Sequence, residues 1–190
     1  MKNVLFIGRK NSGEKNNVRL LANAVFDNSS ELNGQYAYFE DLSLNISDKE
    51  IIISNKDQML NFVAIDIVIL IGWSQDKIYS DFASAITRIA HHTNPKIQIW
   101  NSELLYTRSM TKISQLVVAA VEKVPIPKTI FSLDTKILKK HMSNELMYPV
   151  ILKRVLASRG RYNYKIESSD KVVKILGDGD KNEFIVQEFI

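Results

Sequence analysis

Residues Tyr148–Ile166 read YPVILKRVLASRGRYNYKI, and this stretch decides how the second half of the chain folds. The runs Tyr148–Lys153 and Tyr162–Glu167 are rich in β-branched and aromatic residues, which favours two strands. The loop Ala157–Arg161 between them combines a hydroxyl group, two guanidinium groups and a glycine. With Lys153 at the end of the first strand, these groups suit a polyphosphate, which binds backbone N–H donors and cations. The alternative is a basic surface hairpin that binds no ligand.

Helices and further strands flank this predicted hairpin. Ser109 is a candidate N-cap for a helix that Pro125 and Pro127 terminate, and Asp134–Met142 predicts a second helix. The remaining predicted strands are Thr129–Phe131, Val172–Leu176 and the final stretch FIVQEFI, Phe184–Ile190. Two helices followed by three or four antiparallel strands predict an α+β module.

The first half of the chain alternates strand and helix patterns. The continuous apolar run Ile67–Ile71 is typical of a strand covered on both faces, and Lys77–His92 carries an apolar stripe at helical spacing. The other predicted elements are strands at Val4–Ile7, Tyr36–Phe39, Ile51–Ile53 and Ile97–Trp100, and a helix at Glu14–Asp27. We therefore predict an α/β fold in which a small doubly wound parallel-sheet domain, residues 1–104, precedes the α+β module, residues 105–190.

Composition excludes several classes of protein. A chain of 190 residues that is 45% apolar can bury a substantial core, and a net charge of +4 is too weak for a dedicated nucleic-acid binder. The absence of cysteine excludes a disulfide framework, a thiolate metal site and a cysteine nucleophile. The longest apolar run, Ile65–Trp73, is too short to span a bilayer. These features predict a cytoplasmic protein that binds neither nucleic acid nor membrane.

Five segments of the second half occur in an informative order: Asn101, Ser109–Lys112 at the start of a helix, VPIPKTI, YPVILKR with SRGR, and FIVQEFI. In this order they resemble the ATP-grasp superfamily, most closely carboxylate-amine ligases of the ribosomal-protein glutamate ligase type. The resemblance covers residues 101–190. It implies an enzyme that phosphorylates a carboxylate with ATP and lets an amine displace the phosphate from the acyl phosphate.

The resemblance also implies roles for individual residues. Lys112 and Lys153 would contact the nucleotide phosphates, and the loop residues Ser158, Arg159, Gly160 and Arg161 would fold over them. The adenine would lie along Gln187, Glu188, Phe189 and Ile190. The first domain would help to hold the acceptor substrate, and neither the carboxylate nor the amine follows from the resemblance. No catalytic base is identified.

The end of the chain raises a further expectation. In ATP-grasp ligases the strand that resembles VQEFI is a midpoint, so the sequence is expected to be the front part of a truncated ligase. No metal ligand is assigned within the chain, and Mg²⁺ is expected only with a part beyond Ile190. An uncovered strand there would favour a homodimer. Thr111, Ala157 and Tyr162 depart from the family pattern, which leaves open a non-catalytic nucleotide- or anion-binding module, or an α/β interaction domain without a ligand.

Three residues of the first domain are candidate substrate contacts. Arg9 and Asn11 follow the first strand and Trp73 follows the strand at Ile67–Ile71. Loops at the carboxyl ends of parallel strands face the ligand side of such sheets. Trp73 is equally well explained as a cover for the helix below it.

Overall fold

The structure, a computed structural model, describes residues 1–10, 17–56, 58–72, 76–102, 111–156, 162–177 and 182–190. The strands are β1 (Lys2–Gly8), β2 (Leu32–Tyr38), β3 (Leu42–Ile46), β4 (Ile51–Asn55), β5 (Gln58–Met59), β6 (Ile67–Leu70), β7 (Gln98–Trp100), β8 (Thr129–Ser132), β9 (Val150–Arg154), β10 (Asn163–Ile166) and β11 (Phe184–Glu188). The helices are α1 (Val18–Asn28), α2 (Lys77–Thr93), α3 (Lys112–Val121), α4 (Thr135–Glu145) and α5 (Ser169–Leu176), and short 3-10 helices lie at Phe39–Asp41 and Phe62–Ala64.

The chain divides into two compact units. The first unit comprises Met1–Glu40 and Leu60–Met110, and the second comprises Asp41–Met59 and Thr111–Ile190. Each unit has its own sheet, one parallel and one antiparallel, which confirms the predicted fold class. The segment 41–59, which the sequence places in the first domain, lies in the second unit.

The first unit is built on a four-stranded parallel sheet with the order β2-β1-β6-β7. Helix α1 connects β1 to β2, and α2 connects β6 to β7. Because the two connections lead away from the centre in opposite directions, the strand order reverses between β1 and β6. At such a reversal the loops after the strands leave a crevice in which α/β proteins bind ligands.

A glycine allows α1 to lie close to this sheet. A Cβ atom built on Gly34 of β2 would lie 2.2 Å from the carbonyl oxygen of Ala22 in α1. Ala22 is part of a buried cluster with Val4, Phe6 and Val18, so the helix cannot move away without losing apolar contacts.

We therefore expect Gly34→Ala to lower the free energy of unfolding by about 1–3 kcal/mol, the usual cost of overpacking. Urea denaturation followed by circular dichroism measures this. Gln35→Ala, at the neighbouring exposed position, is the matched control. Equal stability of the two variants would contradict the predicted clash.

The second unit is built on an antiparallel sheet with the order β10-β9-β11-β8-β3-β4-β5. One face carries a buried apolar cluster to which α4 and α5 contribute. Its members are Ile130, Leu138, Met142, Leu146, Val150, Leu152, Ile166, Val172 and Val186. Helix α3 lies on the other face, and Ile185 and Val186 of β11 are both buried, at 1% and 0% exposure.

The prediction of a strand at Val172–Leu176 is wrong, because these residues belong to α5. Val172 is buried and Ile175 and Leu176 pack against the same cluster, whereas Val173 is exposed. Spacings of three and four residues place the three packed side chains on one face of a helix. A strand would instead place Val172 and Leu176 on the face opposite to Ile175.

The strand predicted at Ile51–Ile53 exists as β4 but belongs to the antiparallel sheet. It pairs with β3, a strand that the sequence analysis missed. Strand β3 in turn pairs with β8, and the Ser132 hydroxyl donates a hydrogen bond to the Leu42 carbonyl at 2.9 Å. This pairing spans about half the chain and leaves no local signal in the sequence.

A polar network links α4 to β3. The Nε2 atom of His141 lies 3.1 Å from the Ser43 hydroxyl, and its Nδ1 atom lies 3.0 Å from Oε1 of Glu145. Asn45 donates to Glu145, whose carboxylate also lies 3.2 Å from the ammonium of Lys128. Since Ser43 is buried, this network positions α4 on the sheet.

Candidate functional site

A cavity of about 330 Å³ lies in the second unit between α3 and the sheet. The described residues that line it are Lys112, Gln115, Leu116, Ala119, Lys153, Ile185 and Gln187. Its volume lies within the usual range of ligand pockets, about 300–1,000 Å³. The sequence-predicted residues Lys112, Lys153 and Gln187 therefore meet in one cavity.

One wall of the cavity is a single face of α3. One face of α3 carries Lys112 and the residues that follow it by three, four and seven positions, which are Gln115, Leu116 and Ala119. This spacing aligns the four side chains along the helix. The opposite face of α3 carries the buried residues Ile113, Val117 and Ala120. The helix thus uses one face for the core and presents the other, with a lysine at its N-terminal end, to the cavity.

The floor of the cavity is formed by β9 and β11. Ile185 is paired with Lys153, and Gln187 is paired with Ile151. Since side chains alternate across a strand, Lys153, Ile185 and Gln187 share the face towards α3. A two-residue step along a strand covers about 7 Å, so Gln187 lies one such step along the floor from Lys153.

The two lysines differ in their surroundings. The ammonium group of Lys112 donates hydrogen bonds to the carbonyl oxygens of Arg154 and Val155, at 2.9 and 3.1 Å. These bonds connect the beginning of α3 to the end of β9. Lys153 is half-buried, and it forms no hydrogen bond or ion pair with other described residues. A ligand at the Lys153 ammonium would therefore displace no hydrogen bond or ion pair with another described residue.

Gln187 is held by a chain of hydrogen bonds. Its Nε2 atom donates to the Thr129 hydroxyl at 2.7 Å, and that hydroxyl donates to the Pro127 carbonyl at 2.8 Å. Gln187 is only 4% exposed, and Thr129 is its cross-strand partner on β8. The side chain is therefore fixed in one orientation at the edge of the cavity.

The other predicted adenine contacts continue beyond Gln187 and are not among the described residues that line the cavity. The Glu188 carboxylate accepts a hydrogen bond from the backbone N–H of Lys128 at 2.8 Å. The ammonium nitrogen of Lys165 lies 4.2 Å from the centre of the Phe189 ring. The side chain of Ile190 is 88% exposed.

The predicted phosphate loop, Ser158, Arg159, Gly160 and Arg161, lies outside the described residues, and the same holds for Asn11 and Trp73. The residues on either side of this loop are among those that the structure describes. Both Nε and Nη2 of Arg154 donate to Oε2 of Glu183, the former at 2.9 Å. These hydrogen bonds and the charge of Glu183 raise the pKa of Arg154. Tyr162 has a φ of 60° and its ring lies 5.5 Å from the Arg154 guanidinium. Together these contacts hold the ends of β9 and β10 that frame the loop.

In the first unit, Arg9 lies directly after β1 and its guanidinium is 4.3 Å from the ring centre of Tyr79. The Tyr79 hydroxyl donates to Glu40 at 2.9 Å, and the backbone N–H of Lys10 donates to the same carboxylate at 3.2 Å. Burial, and then the charge of Glu40, raise the pKa of Tyr79 well above its ordinary value. Arg9 thus belongs to a charged cluster at the carboxyl edge of the parallel sheet.

The sequence analysis missed four residues that line the cavity, Gln115, Leu116, Ala119 and Ile185, and it missed Thr129, which holds the side chain of Gln187. The three helical residues could have been found from their spacing to Lys112. Thr129 and Ile185 depend on which strands are neighbours, and the sequence does not reveal that order.

No cluster of three His, Cys, Asp or Glu side chains that could hold a metal ion occurs among the described residues. Within the same residues, no helix is both long and apolar enough to cross a membrane.

Comparison with known proteins finds solved structures that are similar to this chain. One similar solved structure is the RimK domain protein ATP-grasp from Sphaerobacter thermophilus DSM 20745, with a TM-score of 0.37 and 14% identity over 98% of this chain and 64% of that chain. Another is the ATP-grasp ligase PsnB complexed with minimal precursor, with a TM-score of 0.32 and 14% identity over 100% of this chain and 65% of that chain. No family model and no curated protein matches.

The chain thus spans slightly less than two thirds of the length of each of these structures. At 14% identity this likeness assigns no role to any residue.

Proposed function

We propose that the second unit binds ATP, with the phosphates near Lys153 and Lys112 and the base towards Gln187. The observation that carries this proposal is that two lysine residues line one cavity whose floor and wall also contain Leu116, Ala119 and Ile185. Ammonium groups form strong charge-assisted hydrogen bonds with phosphate. Apolar side chains suit the faces of a planar base.

The wider proposal is that the chain is part of an ATP-dependent carboxylate-amine ligase that works through an acyl phosphate. It rests on the sequence resemblance over residues 101–190. In this role Lys153 and Lys112 would bind the polyphosphate and neutralise its charge, which is a large part of catalysis in phosphoryl transfer. Mg²⁺ enters the proposal as the companion ion of ATP. Dependence on ATP and the lack of cysteine both fit the cytoplasm.

The test is calorimetric titration of the chain with ATP, adenosine and inorganic tripolyphosphate. We expect ATP to bind more tightly than either fragment, because only ATP engages both the lysines and the apolar wall. Absence of ATP binding would overturn the proposal. If ATP binds but no phosphate is released with any of a panel of carboxylates and amines, we would conclude that the chain is a non-catalytic nucleotide-binding module.

A further inference from the structure

One face of the parallel sheet in the first unit is only partly covered. Connections between parallel strands are right-handed, so α1 and α2, which lead in opposite directions from the centre of the sheet, lie on opposite faces. On the face of α2, Val68 and Leu70 of β6 are 0% and 1% exposed. On the face of α1, Ile67 and Ile69 of the same strand are only partly buried. Strand β6 is thus buried on one face and partly open on the other.

The open region continues onto β7, the edge strand of the sheet. Trp100 is paired with Ile69, so the two side chains are neighbours on the face of α1, and Trp100 is 53% exposed. Gln98, paired with Ile67, is exposed on the same face. We call these four residues the β6–β7 strip. The strip has an aromatic residue and no charged one, a composition typical of the centre of a protein interface.

Helix α1, which lies beside the strip, carries an exposed face of its own. Val18 and Ala22 are buried against the sheet. Residues two positions further along a helix lie about 200° around its axis, so the opposite, outward face of α1 is formed by Leu20, Ala24 and Asp27. All three are exposed, Leu20 at 50%. The sheet face therefore has an uncovered apolar strip next to a helix with an apolar side chain on its outer surface.

We propose that the β6–β7 strip is a homodimer interface, in which it is covered by the outward face of α1 from a second copy of this chain. A two-fold axis that runs parallel to the strands, between α1 and the strip, places α1 of each copy on the strip of the other. The two contacts are then identical, as in any two-fold interface. Leu20 would lie against Trp100 of the partner subunit. This proposal is independent of the proposed ATP site in the second unit.

Complementary charges at the rim favour a second copy as the occupant. Val18, at the beginning of α1, lies against Gly8 at the end of β1, so the C-terminal end of α1 lies at the amino ends of the strands. An axis parallel to the strands preserves that direction. Asp27 would therefore lie near Lys96 of the partner subunit, which precedes β7. Both residues are exposed, and neither forms an ion pair with another described residue.

The experiment is analytical ultracentrifugation of the whole chain across a range of concentrations. We expect the mass to rise with concentration to twice 21.7 kDa. Trp100→Ala and Leu20→Ala should each raise the dissociation constant of the dimer at least about tenfold, because a few central apolar contacts dominate most interfaces. Phe26→Ala is the matched control and should change nothing, since Phe26 is 64% exposed on α1 but lies outside the outward face.

A charge exchange tests the orientation of the two copies. Lys96→Glu and Asp27→Lys should each weaken the dimer about threefold or more, since each change turns two attractive pairs into repulsive ones. The double variant restores both pairs and should return to within about twofold of the natural dissociation constant. These surface changes keep the test valid if Trp100→Ala does not fold. A chain that stays monomeric at every concentration overturns the proposal, as does a dimer that Trp100→Ala, Leu20→Ala and the single charge reversals all leave unchanged.

Discussion

Replacing Lys153 with alanine is expected to weaken ATP binding by at least about tenfold and to change the free energy of unfolding little. A hydrogen bond to a charged group contributes about 1.5–3 kcal/mol, and 1.4 kcal/mol corresponds to a factor of ten in affinity. Lys153 has no hydrogen-bond or ion-pair partner among the described residues, so its removal leaves none of their polar groups unsatisfied.

Salt dependence identifies the type of interaction that is lost. If Lys153 binds a phosphate, the affinity of Lys153→Ala should fall less steeply with increasing salt than that of the natural chain, because one charge contact is missing. Lys136→Ala, at an exposed position on α4, is the matched control and should retain both affinity and salt dependence. A Lys153→Ala variant that binds ATP as tightly as this control would show that the phosphates lie elsewhere.

The parallel sheet and its helices could be predicted from the sequence because their signals are local. The apolar run Ile67–Ile71 and the helical stripe of Lys77–His92 each suffice to identify an element. The observed β6 and α2 lie within one or two residues of these predictions. Lys112 and Lys153 were assigned to one site only through the resemblance, since 40 residues separate them in the chain.

The rest of the site depends on non-local pairing. The cavity floor exists because β11 lies between β9 and β8, and this places Gln187 beside both Ile151 and Thr129. No periodicity within FIVQEFI specifies those neighbours. The expected uncovered face of this strand is likewise not found at Ile185 or Val186, since α3 covers one face and the apolar cluster the other.

Leu152→Ala is expected to have the largest effect on stability, lowering the free energy of unfolding by about 2–5 kcal/mol, the usual cost of truncating a fully buried leucine. Leu152 is 0% exposed and lies in the apolar cluster beneath α4 and α5, paired across the sheet with Val186 and Tyr164. Urea denaturation measures the change. Val173→Ala, which removes an exposed aliphatic side chain from α5, is the control and should cost less than about 0.5 kcal/mol.

Leu152 and Lys153 are neighbours in the sequence, but their side chains point to opposite faces of β9. We therefore expect Leu152→Ala to change the stability of the fold and Lys153→Ala to change the affinity for ATP. Leu152→Ala should leave ATP affinity within about threefold of the natural value at temperatures where the variant is folded, because the cavity face of the strand is unchanged. Lys153→Ala should lower affinity and spare stability. A Leu152→Ala variant that is folded yet has lost ATP binding would contradict this separation, since it would mean that the apolar cluster and the cavity are coupled through β9.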